Sequence, residues 1–352
     1  INGTNTLIGG DGNDTITLNN GTNAVMAGSG QDTITAANGR NTIEAGDDAD
    51  TINLNGGINS INAGAGADTI TANTGTNIVQ TGDGINWVTL NDGLNTVTGG
   101  AQADVFVVNS GVNIVNTGAG TNTVTLVDGQ TTVNGGTGAD NITASGGTNR
   151  ILADEGDNTV TLLNGTNNLS AGSGADTIIA SNGTNVITTG DGINRVTLND
   201  GLNTVTGGAM ADVFVVNSGV NVVDTGAGVN NITLNNGSNT VTAGTGADSI
   251  TAINGVNSID GGAGTNTISL SGGTNTVVTG SDNDTITASN GNNTVDAGAG
   301  INTITLSGGN NSVIAGSGND VLTLENGTNV VNAGDGTNSD HADWAGLQII
   351  CT

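Results

Sequence analysis

Gly9-Gly10-Asp11-Gly12-Asn13-Asp14-Thr15-Ile16-Thr17, followed without a gap by Leu18-Asn19-Asn20-Gly21-Thr22-Asn23-Ala24-Val25-Met26, is one full period of this sequence. The two nonapeptides alternate and make an 18-residue unit. Their eighth residue is apolar every time, from Leu7, Ile16, Val25, Ile34 and Ile43 through Phe106 and Phe214 to Leu322 and Val331. That is 37 hits in a row with no insertion or deletion. A spacing this strict means that each unit stacks on the one before it, as in a one-dimensional array rather than a globule around a pocket. In each nonapeptide an x-apolar-x triplet predicts a short strand with its middle side chain inward and its neighbours outward. The other six residues turn the chain back, and glycine suits them because tight turns need positive φ. The expected fold is all-β: a right-handed parallel β-solenoid, or β-roll, of 18-residue coils made of two nonapeptides over 1–338. A non-repeat tail over 339–352 would serve as cap or joint. At roughly 4.8 Å per coil the rod would be on the order of 90 Å long.

Composition sharpens this reading. The 352 residues include 62 glycines and no proline, and aromatics make up 1%, so the core must be thin and aliphatic. Glycine without a G-X-Y period excludes collagen, and the apolar ladder argues against the disorder that an acidic Gly/Asn-rich chain would otherwise suggest. The net charge is −28, with Arg40, Arg150 and Arg195 as the only basic residues besides His341. Such a polyanion has no cations with which to displace the counterions of nucleic acid or anionic lipid. It would attract metal cations or stay soluble through self-repulsion. The single cysteine, Cys351, forms no internal disulfide, and no apolar run approaches membrane-spanning length. A start at Ile1, without methionine or signal peptide, reads as a processed product or a segment of something longer.

The two turns differ. In the second type the fourth position is glycine at all 19 occurrences, from Gly3 to Gly327. The sixth position is asparagine, at Asn23, Asn41, Asn59, Asn77, Asn95, Asn113 and onward to Asn329, interrupted by Thr131 alone. Asparagine tolerates left-handed backbone and can bond both its own turn and the next, so this column reads as a structural ladder of stacked amides. The first turn type carries aspartate at the sixth position in 11 turns: Asp14, Asp32, Asp50, Asp68, Asp104, Asp140, Asp176, Asp212, Asp248, Asp284 and Asp320. After Asp68 every second coil has asparagine instead, from Asn86 to Asn338, which lays a 36-residue superperiod over the 18. Residues 81–120 also match 189–228 with four differences, Trp87 against Arg195 and Gln102 against Met210 among them. Block duplication of this kind suits a spacer that tolerates changes of length.

Gly9–Thr17 resembles the nonapeptide G-G-x-G-x-D-x-U-x of the RTX calcium-binding β-rolls, and Gly99–Val107 is similar to it. The resemblance covers 3–338. It implies Ca²⁺ between successive turns, held by the turn aspartates and by main-chain carbonyls that stacked glycine turns expose at little steric cost. Carried over, the 11 aspartates are the candidate metal ligands. The strongest sites would lie among Asp14, Asp32, Asp50 and Asp68, where two carboxylates can share one ion. Beyond Asp68 each aspartate faces an asparagine and would bind more weakly. The rival reading is that the aspartates only cap their turns, with solvated carboxylates. In that case alternation with asparagine relieves repulsion between charges roughly 5 Å apart.

Three classes of function were weighed on these residues. Catalysis is not expected: His341 lies after the repeats, and no Ser/His/Asp or Cys/His set assembles around it. Ice binding would use the outward Thr-x-Thr pairs, such as Thr15/Thr17, Thr33/Thr35 and Thr285/Thr287. Trp87, Val105/Val107, Arg195 and Val213/Val215 break those ranks, and outward threonine is also the ordinary choice for an exposed strand. The leading expectation is a secreted structural solenoid at the cell surface or outside the cell: a filament subunit, or a surface-layer or adhesin segment, stiffened by calcium. Gly3 and Asn5 already sit on their columns, so the start carries no polar cap. Self-association head to tail is then the expected partnership, with Ile1, Leu7, Trp344, Leu347, Ile349 and Ile350 as the joint. Contact with ice or a cell surface is the other expected partnership, without nucleic acid or membrane insertion.

Overall fold

The computed structural model describes residues 3–342 and 347–350. It comprises two compact units, 1–176 and 177–352. Each is a parallel β-solenoid with about 18 residues per turn and no helix.

In 1–176 the strands that follow the Asn-bearing turns run from Thr4–Asp11, Thr22–Ser29 and Arg40–Asp47 to Thr166–Ser170. Within this unit successive strands, 18 residues apart, pair in parallel. The strands that follow the acidic turns, from Thr15–Leu18 and Thr33–Ala36 to Thr159–Leu162, form a second parallel sheet in the same register. The unit 177–352 repeats both sheets: Arg195–Leu198 pairs with Thr177–Ala180, and Leu202–Thr206 with Thr184–Thr188. The apolar ladder lies between the sheets and is buried from Ile16 to Val331, with Leu7 half-buried.

The strands are longer than the expected triplet. They hold four or five residues on the acidic-turn sheet and five on the other, except for eight in its first four coils and four in Leu347–Ile350. The reason is a second inward rank: Leu18 and Ala36 follow Ile16 and Ile34 at the side-chain period of two, and Ala27 and Ala45 follow Val25 and Ile43. With the sixth-position Asn or Asp, most nonapeptides thus bury three side chains rather than one. Every large aliphatic member adds roughly 1.5–3 kcal/mol relative to exposure. Phe106 and Phe214 take ladder positions with no exposure.

Main-chain pairing continues into the expected tail after 338. Ser339–Ala342 pairs with Val321–Leu324, and Leu347–Ile350 with Asn329–Asn332, both still 18 residues apart. Asp340 breaks the apolar ladder, but main-chain hydrogen bonding does not depend on side-chain identity. In the backbone register Ile349 lies opposite Val331.

Candidate metal-binding turns and the asparagine ladder

The asparagines of the second turn type point inward and are almost wholly buried. In 1–176 each side-chain amide donates to the Oδ1 of the next coil: Asn5 to Asn23, Asn23 to Asn41, Asn41 to Asn59, then on through Asn77 and Asn95 to Asn113, at 2.7–2.8 Å. The same Nδ2 donates back into its own turn, as from Asn59 to the Gly56 carbonyl at 3.0 Å. One residue therefore ties its turn and bridges to its neighbour. The column in 177–352 runs the same way from Asn185 to Asn329.

Thr131 is where the first column breaks. Its buried hydroxyl has no partner, and neither has Asn149 Oδ1 one coil further on. Thr131→Asn should accept from Asn113 and donate to Asn149. Two unmet groups would then be satisfied, for a gain of about 1–3 kcal/mol. A rise of several degrees in melting temperature is expected; an unchanged or lower one would show that the ladder bonds do not carry stability.

The aspartate column is built differently. Each sixth-position Oδ1, from aspartate or asparagine alike, accepts the main-chain N–H of the sixth position one coil earlier. Asp14 donates to Asp32, Asp32 to Asp50, Asp50 to Asp68, Asp68 to Asn86 and Asn86 to Asp104, at 2.7–2.9 Å. The column in 177–352 repeats this, as from Asn194 to Asp212 and Asn230 to Asp248. The second side-chain atom separates the two residue types. In the asparagine coils Nδ2 donates to turn carbonyls: Asn86 to Gly84 at 3.1 Å, Asn158 to Gly156 at 2.9 Å, Asn266 to Gly264 at 2.9 Å. In the aspartate coils that slot holds Oδ2, an acceptor. Asp14, Asp32, Asp50, Asp68, Asp140, Asp248 and Asp320 each bury an Oδ2 with no hydrogen-bond donor.

Solvated capping carboxylates are therefore ruled out by burial: Asp32, Asp50, Asp68 and Asp140 are each 1% exposed. A buried carboxylate oxygen without a donor needs a proton or a cation. The carboxyls of Asp50 and Asp140 are pushed up from 3.8 to about 6. Burial is the main cause in both. For Asp50 a main-chain hydrogen bond opposes it, and the charges of Asp68, Asp32 and Asp48 add to it. Asp68, Asp104, Asp212, Asp248 and Asp284 are raised as well, again mainly by burial.

In the Asp14 turn, glycine at the first motif position gives the carboxylate its room, whereas Ala27, Ala45 and Ala63 stand there in the turns of Asp32, Asp50 and Asp68. A Cβ on Gly9 would lie 2.2 Å from Asp14 Oδ2 and 2.4 Å from the Ala27 carbonyl oxygen. A carboxylate oxygen and a main-chain carbonyl thus converge on one small space, which is the donor chemistry a hard divalent cation takes. The match of the family model for the RTX calcium-binding nonapeptide repeat runs along the whole solenoid, in ten segments from 1–34 and 26–61 to 270–304 and 306–339. This chain belongs to the RTX calcium-binding nonapeptide repeat family.

RTX repeats account for the acidic turns, while the Asn-bearing turns depart from the motif and make their own hydrogen bonds instead. No curated protein matches the chain. Among the described residues no three Asp, Glu, His or Cys side chains gather as a metal cluster. A cation in these RTX turns would thus rest on one or two carboxylates and main-chain oxygens. Among the described residues no helix is long and apolar enough to cross a membrane. Of the expected joint, Ile1 and Trp344 lie outside the described residues, Leu7 is half-buried on the first strand, and Leu347, Ile349 and Ile350 belong to the last strand pairing. The sequence reading missed that the aspartates face inward; the sign of it was the inward asparagine at the same position in alternate coils.

Proposed function

We propose that this chain is a secreted structural solenoid whose acidic turns take Ca²⁺, serving as a filament subunit or as a surface-layer or adhesin segment. The observation that carries the reading is the donorless, buried Oδ2 that recurs where asparagine elsewhere supplies an N–H. In the turns of Asp14, Asp32, Asp50 and Asp68 the residues present the carboxylate, and the turn carbonyls complete an oxygen shell. Calcium bound there supplies the positive charge that these inward oxygens lack. In the Asp14 turn Gly9 keeps the space open, and the Oδ1 bonds fix the carboxylates of Asp32, Asp50 and Asp68 against the preceding coil.

Equilibrium dialysis against Ca²⁺ at pH 7.5 should show several ions per chain, and micrographs of the calcium-loaded protein should show filaments. No bound calcium would defeat the first part, and monomers at every concentration the second. Ice binding is the second reading. It is favoured by the register of Thr15, Thr33, Thr51 and Thr69 on one exposed rank. Thermal hysteresis in cold solution would establish it in place of the filament.

A further inference from the structure

The outward face of the Asn-turn sheet differs in charge between the two units. In 1–176 this face exposes Ile58, Ile78, Leu94, Val112 and Ile114, each by 44–55%. Ile58, Thr76, Leu94 and Val112 follow one another in register, with Ser60, Ile78, Thr96 and Ile114 in the rank beside them. Arg40 stands one coil before Ile58, and Arg150 two coils after Ile114. Both arginines are exposed. From Ile58 to Ser170 the strands of this face carry no carboxylate. Glu44, on the strand of Arg40, accepts a hydrogen bond from Asn62 at 2.9 Å.

In 177–352 the same face exposes Val186, Leu202, Val220, Val222 and Val256. Its strands carry no arginine or lysine, and three of them end on exposed carboxylates, Asp224, Asp260 and Asp296. Each of these accepts a turn N–H on Oδ1: Gly226 to Asp224 at 3.1 Å, Gly262 to Asp260 at 3.0 Å and Gly298 to Asp296 at 3.1 Å. The duplicated blocks 81–120 and 189–228 locate the change. Two of their four differences fall on this face: Ile114 against Val222 keeps it apolar, and Asn116 against Asp224 makes it acidic.

We propose that the Asn-turn face of 1–176 docks on the Asn-turn face of 177–352 in a second copy of this chain. The apolar ranks pack together, and Arg40 and Arg150 lie against Asp224, Asp260 and Asp296. Runs of exposed aliphatic side chains mark a contact surface, and a net charge of −28 sets copies of the chain against one another everywhere else. The two arginines sit where that repulsion is reversed. Apolar burial supplies the affinity, and the charges choose the face. The contact joins unlike surfaces, so it can repeat from copy to copy. It goes beyond the filament reading, because it uses sheet faces rather than chain ends.

The test is sedimentation velocity of the calcium-loaded chain over rising protein concentration, at low and high salt. Three variants are compared: Arg40→Glu with Arg150→Glu, Asp224→Arg with Asp260→Arg, and Leu94→Thr with Val112→Thr. Thr76 and Thr148 already stand in the rank of Leu94, and Thr206 stands in the rank of Asp224, so each variant should melt as the unaltered chain does. The unaltered chain should associate, less readily at high salt, and each variant should need at least tenfold more protein to do so. Mixing the two charge-reversed variants should restore association, since each then offers the face that the other lacks. Association unchanged in all three variants overturns the docking face and leaves end-to-end joining standing. Loss in both charge variants without recovery on mixing overturns the pairing of these two faces. A monomer at every concentration overturns face docking and filament together.

Discussion

Stripped of calcium at pH 7.5, the chain should melt far below its calcium-loaded form, and should regain stability as the pH is lowered toward 4. The sign follows from the buried carboxyls. Asp50 and Asp140 titrate at about 6 in the folded chain against an ordinary 3.8, so between those values the folded state holds more protons than the unfolded one. Stability therefore falls as pH rises from about 4 through 6 and is flat above. At neutral pH the metal-free fold holds inward carboxylates with neither proton nor cation. Calcium at a hundredfold excess over its dissociation constant adds about 2.7 kcal/mol per site, so a few occupied turns outweigh most single substitutions. Thermal melts with EDTA and with calcium, at pH 4 and 7.5, should show a large calcium effect at 7.5 and little at 4. Equal melting temperatures with and without EDTA at pH 7.5 would remove calcium from the account of stability.

The apolar ladder from Leu7 to Val331 was legible in sequence because stacking at a fixed spacing leaves no freedom of register. A one-residue slip would turn every inward side chain outward. The Asn column was legible for the same reason, including its fault at Thr131. The inward aim of the aspartates was harder to see. An acidic side chain in a glycine turn ordinarily reads as exposed, and only the equivalence of Asp68 with Asn86 in the hydrogen-bond column reveals burial. In the tail, Asp340 spoils the side-chain pattern while its backbone still pairs with Leu322. Asp154 was readable in principle as a lone exception among glycines, but its hydrogen bond from the Gly136 N–H was not. What escapes the repeat is thus what main-chain geometry decides.

Gly46→Ala should destabilise the metal-free chain by about 2–5 kcal/mol, and Gly10→Ala by only about 1–2 kcal/mol. Both glycines occupy the same column with similar backbone, φ 121° and 112°, so both alanines would incur the left-handed penalty. They differ in what a Cβ meets. At Gly46 it would lie 1.8 Å from the Gly28 carbonyl oxygen, while at Gly10 nothing lies within 4 Å. Relief of that clash must come from moving one coil against the next. The parallel hydrogen bonds from Thr22–Ser29 to Arg40–Asp47 and on to Ile58–Ala65 resist such a shift on both sides. Asp154 shows how the same column can admit a side chain: its φ falls to 65° and its carboxylate gains the Gly136 N–H. Alanine can copy the rotation but not the hydrogen bond. Urea denaturation of both variants in EDTA reads the difference directly. Equal losses would mean that backbone conformation alone fixes the glycine column; a larger loss at Gly46 means that the close stacking of successive turns does.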